Sequence, residues 1–209
     1  MTTSSESYFA SVAAQWDEMR AEYFTEKMRD SAIARSRLPA GAVVADIGTG
    51  TGFVAAGLAL RAATVYGFDA SAAMLEQARK NLAGLSNVEL RQAPGDSIPL
   101  PDNSLDGVFA NMYLHHAPDP FKAISEMVRL LKPGGVLCLT DLDAHDHEWQ
   151  RERMADLWLG FDRQQIKDWF MQAGLEQLDI DCAEGTCNAC GPDGNLEPLS
   201  IFAAIGRKA

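Results

Sequence analysis

Cysteine is scarce: four in 209 residues. That is too few for a disulfide-stapled scaffold, and a thiol-keeping cytosol is the expected compartment. No Lys/Arg cluster stands out, and the net charge is −11. Such a surface repels phosphate backbones and anionic lipid, so nucleic acid and membrane are not expected partners. Apolar runs such as Phe53–Leu60 are too short to span a bilayer. The opening MTTSSESYF has neither the basic nor the apolar part of a secretory leader. Internal repeats and low-complexity stretches are also missing. What remains is 47% hydrophobic and 22% charged, the composition of a globular domain large enough to bury its own core.

The chain alternates short β-rich runs with helical patterns, which predicts an α/β fold with a mostly parallel sheet. Two helices are expected first. Phe9, Val12, Trp16, Met19 and Tyr23 recur at helical spacing, and a polar helix runs on to about Arg37 before Pro39–Gly41 breaks it. This assigns 1–40 to an N-terminal helical cap and 41–209 to the main domain. Strands are expected at 42–46, 64–69, 88–93, 105–112 and 136–141, with helices at 53–61, after Ser71, after Asp119-Pro120, at 146–159 and at 163–173. Two last strands, 175–181 and 199–206, flank an irregular segment containing three cysteines.

The chemistry starts at ADIGTGTGF, residues 45–53, where glycines fall at 48, 50 and 52. A dinucleotide loop wants G-x-G-x-x-G, and here position 53 is Phe. Asp46 stands two residues before the first glycine, where it would repel a pyrophosphate and suit an ammonium. Asp69, closing the second strand, can accept both hydroxyls of a ribose. Asp96, after the third strand, can accept from the exocyclic amine of an adenine. An amino-acid head, a ribose, an adenine and no phosphate describe S-adenosylmethionine, and close backbone approach to it accounts for the glycines.

The runs VVADIGTGTGF, VYGFDASAAMLEQAR, GDSIPLPDNSLDGVFANMYLHH and EMVRLLKPGGVLCLTD, in that order over about 40–142, resemble the class I S-adenosylmethionine-dependent methyltransferases of the small UbiE-like type. The resemblance implies a Rossmann-like seven-stranded sheet of order 3-2-1-4-5-7-6 flanked by helices, its last strand antiparallel. The cofactor would cross the carboxyl ends of the first strands. By motif position Asp46 and Gly48 would serve its methionine end, and Thr49, Gly50 and Gly52 would also bind the cofactor. Asp69 and Ala70 would hold the ribose, with Met74 packed on it. Asp96 and Ser97 would meet the adenine, and Asn111 would line the methionine side. The expected activity is in-line methyl transfer to a small-molecule acceptor.

Tyr113, His115 and His116, following the fourth strand, would face the methyl group, with His116 and Tyr113 as catalytic candidates. DLDAHDHEW, residues 141–149, adds Asp141 as a catalytic candidate and His145 and His147 on the acceptor side. In this family N-terminal helices close over the cofactor, which puts Trp16 and Tyr23 near the acceptor. No metal is expected. Two other readings stay open. Cys182, Cys187 and Cys190, spaced C-x4-C-x2-C, could grip a metal or serve a metalloid methyltransferase of the arsenic type. The chain could also be a non-catalytic S-adenosylmethionine-binding regulatory module.

Overall fold

A computed structural model describes residues 5–21, 24–190 and 196–209, without the side chains of residues 6, 184–190 and 196–198. Seven strands form one sheet in the order β3-β2-β1-β4-β5-β7-β6. They are β1 (Val43–Ile47), β2 (Thr64–Asp69), β3 (Val88–Gln92), β4 (Leu105–Asn111), β5 (Leu131–Leu142), β6 (Leu175–Cys190) and β7 (Leu196–Lys208). The first five run parallel, and β7 pairs antiparallel with both β5 and β6. The predicted order and the antiparallel last strand are both present.

Both faces of the sheet are buried, and the period of two along each strand sorts side chains between them. Val44, Val136, Cys138 and Ile205 pack on one face with α3 (Glu26–Arg35) and α4 (Phe53–Ala59). Ala45, Leu137, Leu139 and Phe202 pack on the other with α6 (Pro120–Leu130) and α8 (Arg163–Gln172). α6 starts where its sequence says it should. Asp119 accepts a hydrogen bond from the Lys122 N–H at 3.0 Å, and Pro120 fills the first helical position. On the α3 and α4 face α5 (Ala72–Asn81) begins at its Ser71 cap and buries Ala78 in the same cluster.

Three expectations need correction. The first N-terminal helix is two, α1 (Ser5–Val12) and α2 (Trp16–Ala21), separated by a turn in which the Gln15 N–H donates to the Val12 carbonyl. That turn brings Phe9 and Trp16 edge to face at 5.2 Å. The helix expected over 146–159 is only α7 (Trp149–Arg153). It stops because Ala155 takes φ +60° and because the Leu157 and Trp158 N–H groups donate to the His115 carbonyl. The hairpin strands are longer than expected. β6 continues through Cys182, Cys187 and Cys190, pairing Cys187 with Leu199 and Cys190 with Leu196 across the ladder.

Leu137 lies in the central strand β5 and is fully buried. Leu137→Ala should cost about 2–5 kcal/mol, read as a lower denaturant midpoint at unchanged slope.

Candidate functional site

Parallel strands end together, and their carboxyl ends leave a crevice where the connections diverge. Here the crevice is a cavity of about 580 Å³. Its floor is the glycine turn after β1, the end of β2 and the loops after β3 and β4, and its roof comes from α1, α2 and the α7 region.

The glycine turn is held by carboxylates. Asp46 is buried, and its Oδ2 accepts from the Thr49 hydroxyl at 2.7 Å and the Ala55 N–H at 3.0 Å. It therefore ties the turn to the first turn of α4, a role its sequence position did not reveal. Asp69 accepts from the Gly50 N–H and the Ser71 N–H, both at 2.8 Å. Gly48 and Gly50 have φ of +69° and +53°, a conformation glycine adopts without strain. A Cβ on Gly48 would sit 2.5 Å from the Tyr113 ring.

Of the residues expected to hold the cofactor, Asp46, Gly48, Thr49, Gly50, Asp69, Ala70, Met74, Asp96 and Asn111 all line the cavity. Gly52 and Ser97 do not. Gly52 caps α4 with φ +89°, where a Cβ would meet Leu82 at 2.6 Å. Ser97 is exposed in a turn, its N–H donating to the Pro94 carbonyl. Asp96 is bound by Lys122 Nζ at 2.7 Å, and Asn111 Oδ1 accepts from the Thr140 hydroxyl at 2.6 Å.

On the acceptor side Trp16, Tyr113, His115 and His116 line the same cavity. Asp141, His145 and His147 are absent from its wall, and Tyr23 falls outside the described residues. Asp141 works from behind. Its carboxylate takes His115 Nδ1 at 2.6 Å and the Leu114 and Leu142 N–H groups at 2.8 Å. The Cys182 thiol lies on the exposed side of the hairpin, receiving Arg163 Nη2 at 3.3 Å. The Cys187 and Cys190 side chains lie outside the described residues.

Sequence reading missed several wall residues. Arg20 lines the cavity with its guanidinium 3.6 Å from the centre of the Phe53 ring, and its Nη1 donates to the Phe24 carbonyl. Gln150, Met154 and Asp156 come from the α7 region. Asp156 Oδ1, Gln150 Nε2 and Arg20 Nε are buried without a hydrogen-bond partner, and all three residues line this cavity. The signal was faint: an acid, an amide and a cation inside helical patterns whose polar residues are solvated by default.

Burial dominates the electrostatics. It pushes the Asp46 carboxyl up to about 7 against its bonds to Thr49 and Ala55. Asp69 is also raised by burial, opposed by its two N–H donors. Burial raises Tyr113 too, helped by Asp96 and Asp69. At His115 burial opposes the charged ring, but Asp141 and Asp156 outweigh it and hold the imidazole up to about 9. His116 falls well below its usual value through burial and the charge of His115. Asp156 is pushed up to about 6 by burial. Away from the wall, burial and the neighbouring His147 and His115 lower His145 to about 4.

Asp46, Asp69, Asp96, Asp119 and Asp156 give this cavity five carboxylates, and Arg20 is the one Lys/Arg cation among its described wall residues. That donor set fits a ligand with an ammonium, hydroxyls and an amine, and it opposes a pyrophosphate. Residues 45–139 match the family described as a methyltransferase domain. Over 162 residues the chain is 33% identical to 2-methyl-6-phytyl-1,4-hydroquinone methyltransferase 1 of Oryza sativa, covering 76% of this chain and 48% of that protein. It is 34% identical over 139 residues to a demethylmenaquinone methyltransferase of Clavibacter sepedonicus, 61% of this chain and 57% of the relative. The chain thus spans about half the length of the curated relatives it matches. A SAM-dependent methyltransferase structure from Aquifex aeolicus has the same fold, at TM-score 0.71, 22% identity and 96% and 98% coverage of the two chains. The fold is that of the class I S-adenosylmethionine-dependent methyltransferases, and residues 45–139 carry the methyltransferase-domain match. Within that class the sequence is similar to the UbiE-like type.

Asp46 also predicts a pH dependence. Its carboxyl binds a proton more tightly in the folded protein, about 7 against 3.8 for the free group. Stability contributed below about pH 4 is therefore lost as pH rises toward 7. Asp46→Asn should remove this part of the decline, seen as a wild-type-minus-variant difference in Tm that is more positive at pH 5 than at pH 7.5.

Proposed function

We propose that this protein transfers the methyl group of S-adenosylmethionine to a small aromatic diol of the quinol class, in the cytosol. The observation that carries the reading is one cavity holding both a cofactor-type carboxylate row and a His115 ring oriented by Asp141, under a roof of Phe9, Trp16 and Met154. A flat apolar acceptor with polar edges fits such a chamber. The quinol methyltransferase names of the relatives support the same acceptor class.

S-adenosylmethionine supplies an electrophilic methyl group on a sulfonium. The residues of this chain bind and align. Asp46 faces the ammonium, and Arg20, whose Nε is buried without a hydrogen bond and lies 3.7 Å from Asp17 Oδ1, faces the carboxylate. Asp69 keeps lone pairs for the ribose hydroxyls beside its two N–H donors. Met74 forms an apolar wall and Asp96 reaches the adenine edge. Tyr113 lies along the floor, its ring against Gly48 and its hydroxyl against Gly95. His115 and His116 border the acceptor, and Asp141 acts through His115 as a positioning residue. α1 and α2 form the cap, fastened by Asp17, which accepts from Thr51 Oγ1 at 2.6 Å and Asn81 Nδ2 at 2.8 Å. Displacement at the methyl carbon needs mainly this alignment.

The test is transfer of radiolabelled methyl from S-adenosylmethionine to a panel of reduced quinones. Label should enter at least one quinol, and Asp69→Ala should lower kcat/KM for the cofactor about 10–100-fold, mostly through KM. Cofactor binding without label in any quinol would contradict the acceptor class.

A further inference from the structure

The cavity contains one cluster that cofactor binding does not use. His115 and His116 follow β4 in a 3-10 turn (Leu114–His116), and Asp156 enters from the segment after α7. His115 Nε2 lies 3.8 Å from Asp156 Oδ1, and His116 Nδ1 lies 3.9 Å from the same oxygen. One possible ligand atom from each of the three residues falls within 4.8 Å of the other two. Those separations exceed hydrogen-bond reach. They approach the edge of a coordination polyhedron, about 3.4 Å for ligands 2.0–2.2 Å from a tetrahedral ion.

We propose that His115 Nε2, His116 Nδ1 and Asp156 Oδ1 form a binding site for one divalent first-row transition ion, open toward the acceptor side of the cavity. Three observations support it independently. Asp156 Oδ1 is buried, with its side chain 1% exposed, and has no hydrogen-bond partner. Leaving such an atom unmatched is costly, and a cation removes the cost. Asp141 grips His115 Nδ1 at 2.6 Å and keeps a proton on that nitrogen, so an incoming cation displaces the proton of Nε2, the nitrogen that faces the cluster. A carboxylate behind a histidine is the usual support of a metal-bound imidazole. Finally, all three residues line the cavity, which leaves further coordination positions for a ligand oxygen.

Two nitrogens and one carboxylate oxygen select zinc, iron(II), cobalt(II) or manganese(II) over calcium and magnesium. Binding requires His116 to carry its proton on Nε2, giving up the 3.3 Å contact of Nδ1 to the Ala155 carbonyl. The ion's task, orienting an acceptor oxygen, rests on the proposed methyl transfer. The site itself does not.

The experiment titrates cobalt(II) into the full chain after chelator treatment, reading visible absorption and stoichiometry by equilibrium dialysis. One equivalent should bind with a nitrogen–oxygen spectrum lacking thiolate charge-transfer bands, and zinc should displace it. Asp156→Asn and His116→Gln should each weaken binding at least about tenfold, and Asp141→Asn about 10–100-fold. His147→Gln, away from the cavity wall, should change nothing. S-adenosylhomocysteine binding by each variant reports that it is folded. No binding, binding through thiolates, or binding indifferent to Asp156→Asn and His116→Gln would overturn the site. That last set of results would leave His115 as a protonated ring shared by two carboxylates. If cobalt binds as expected and no quinol is methylated, the acceptor reading fails and the metal site stands.

Discussion

Everything at the carboxyl end of the sheet depends on two carboxylates holding a glycine turn open. Asp46 reaches forward to Thr49 and Ala55, and Asp69 reaches across from the neighbouring strand to the Gly50 N–H. The turn thus has its geometry set before any ligand arrives. Preorganisation of this kind lowers the ordering cost of binding. The β1–β2 register makes it possible, because parallel pairing of Ile47 with Phe68 puts the two acids at the same end of the sheet.

Those acids make the crevice negative as well as rigid. Burial raises the Asp46 carboxyl to about 7 by disfavouring its charged form, and the ammonium of an amino acid placed beside it would favour that form again. The same field disfavours phosphate. A glycine-rich loop after a strand is therefore an ambiguous signal by itself, and the residues around it decide which nucleoside ligand it serves. Here Phe53 in place of a third spaced glycine and Asp46 in front of the loop point the same way. The acceptor half of the cavity is built differently, from aromatic and sulfur-bearing side chains on short helices, with polar atoms at a few positions only.

The sheet and the cofactor half were legible in the sequence because local patterns encode them. The glycine turn, Asp69 at a strand end, Ser71 and Asp119 as caps and the apolar strands all act within a few residues of themselves. Gly52 shows the limit of such reading: it looks like its neighbours, yet it makes room for Leu82. The acceptor half was less legible. His115 was visible, but its bond to Asp141 crosses from β4 to β5 and follows only from their pairing. Asp156 was invisible inside a helical pattern that the backbone abandons at Ala155, where φ turns positive. Arg20 and Gln150 likewise gain meaning only when the cap and the α7 segment fold over the strand ends.

The most direct measurement is calorimetric titration of the protein with S-adenosylhomocysteine and, separately, with reduced nicotinamide adenine dinucleotide. The account predicts one saturable site for the first, with micromolar Kd, and no binding of the second at the same concentrations. Binding of the dinucleotide, or failure of S-adenosylhomocysteine to bind a folded sample, would contradict the claim that this acidic glycine turn is a phosphate-free cradle.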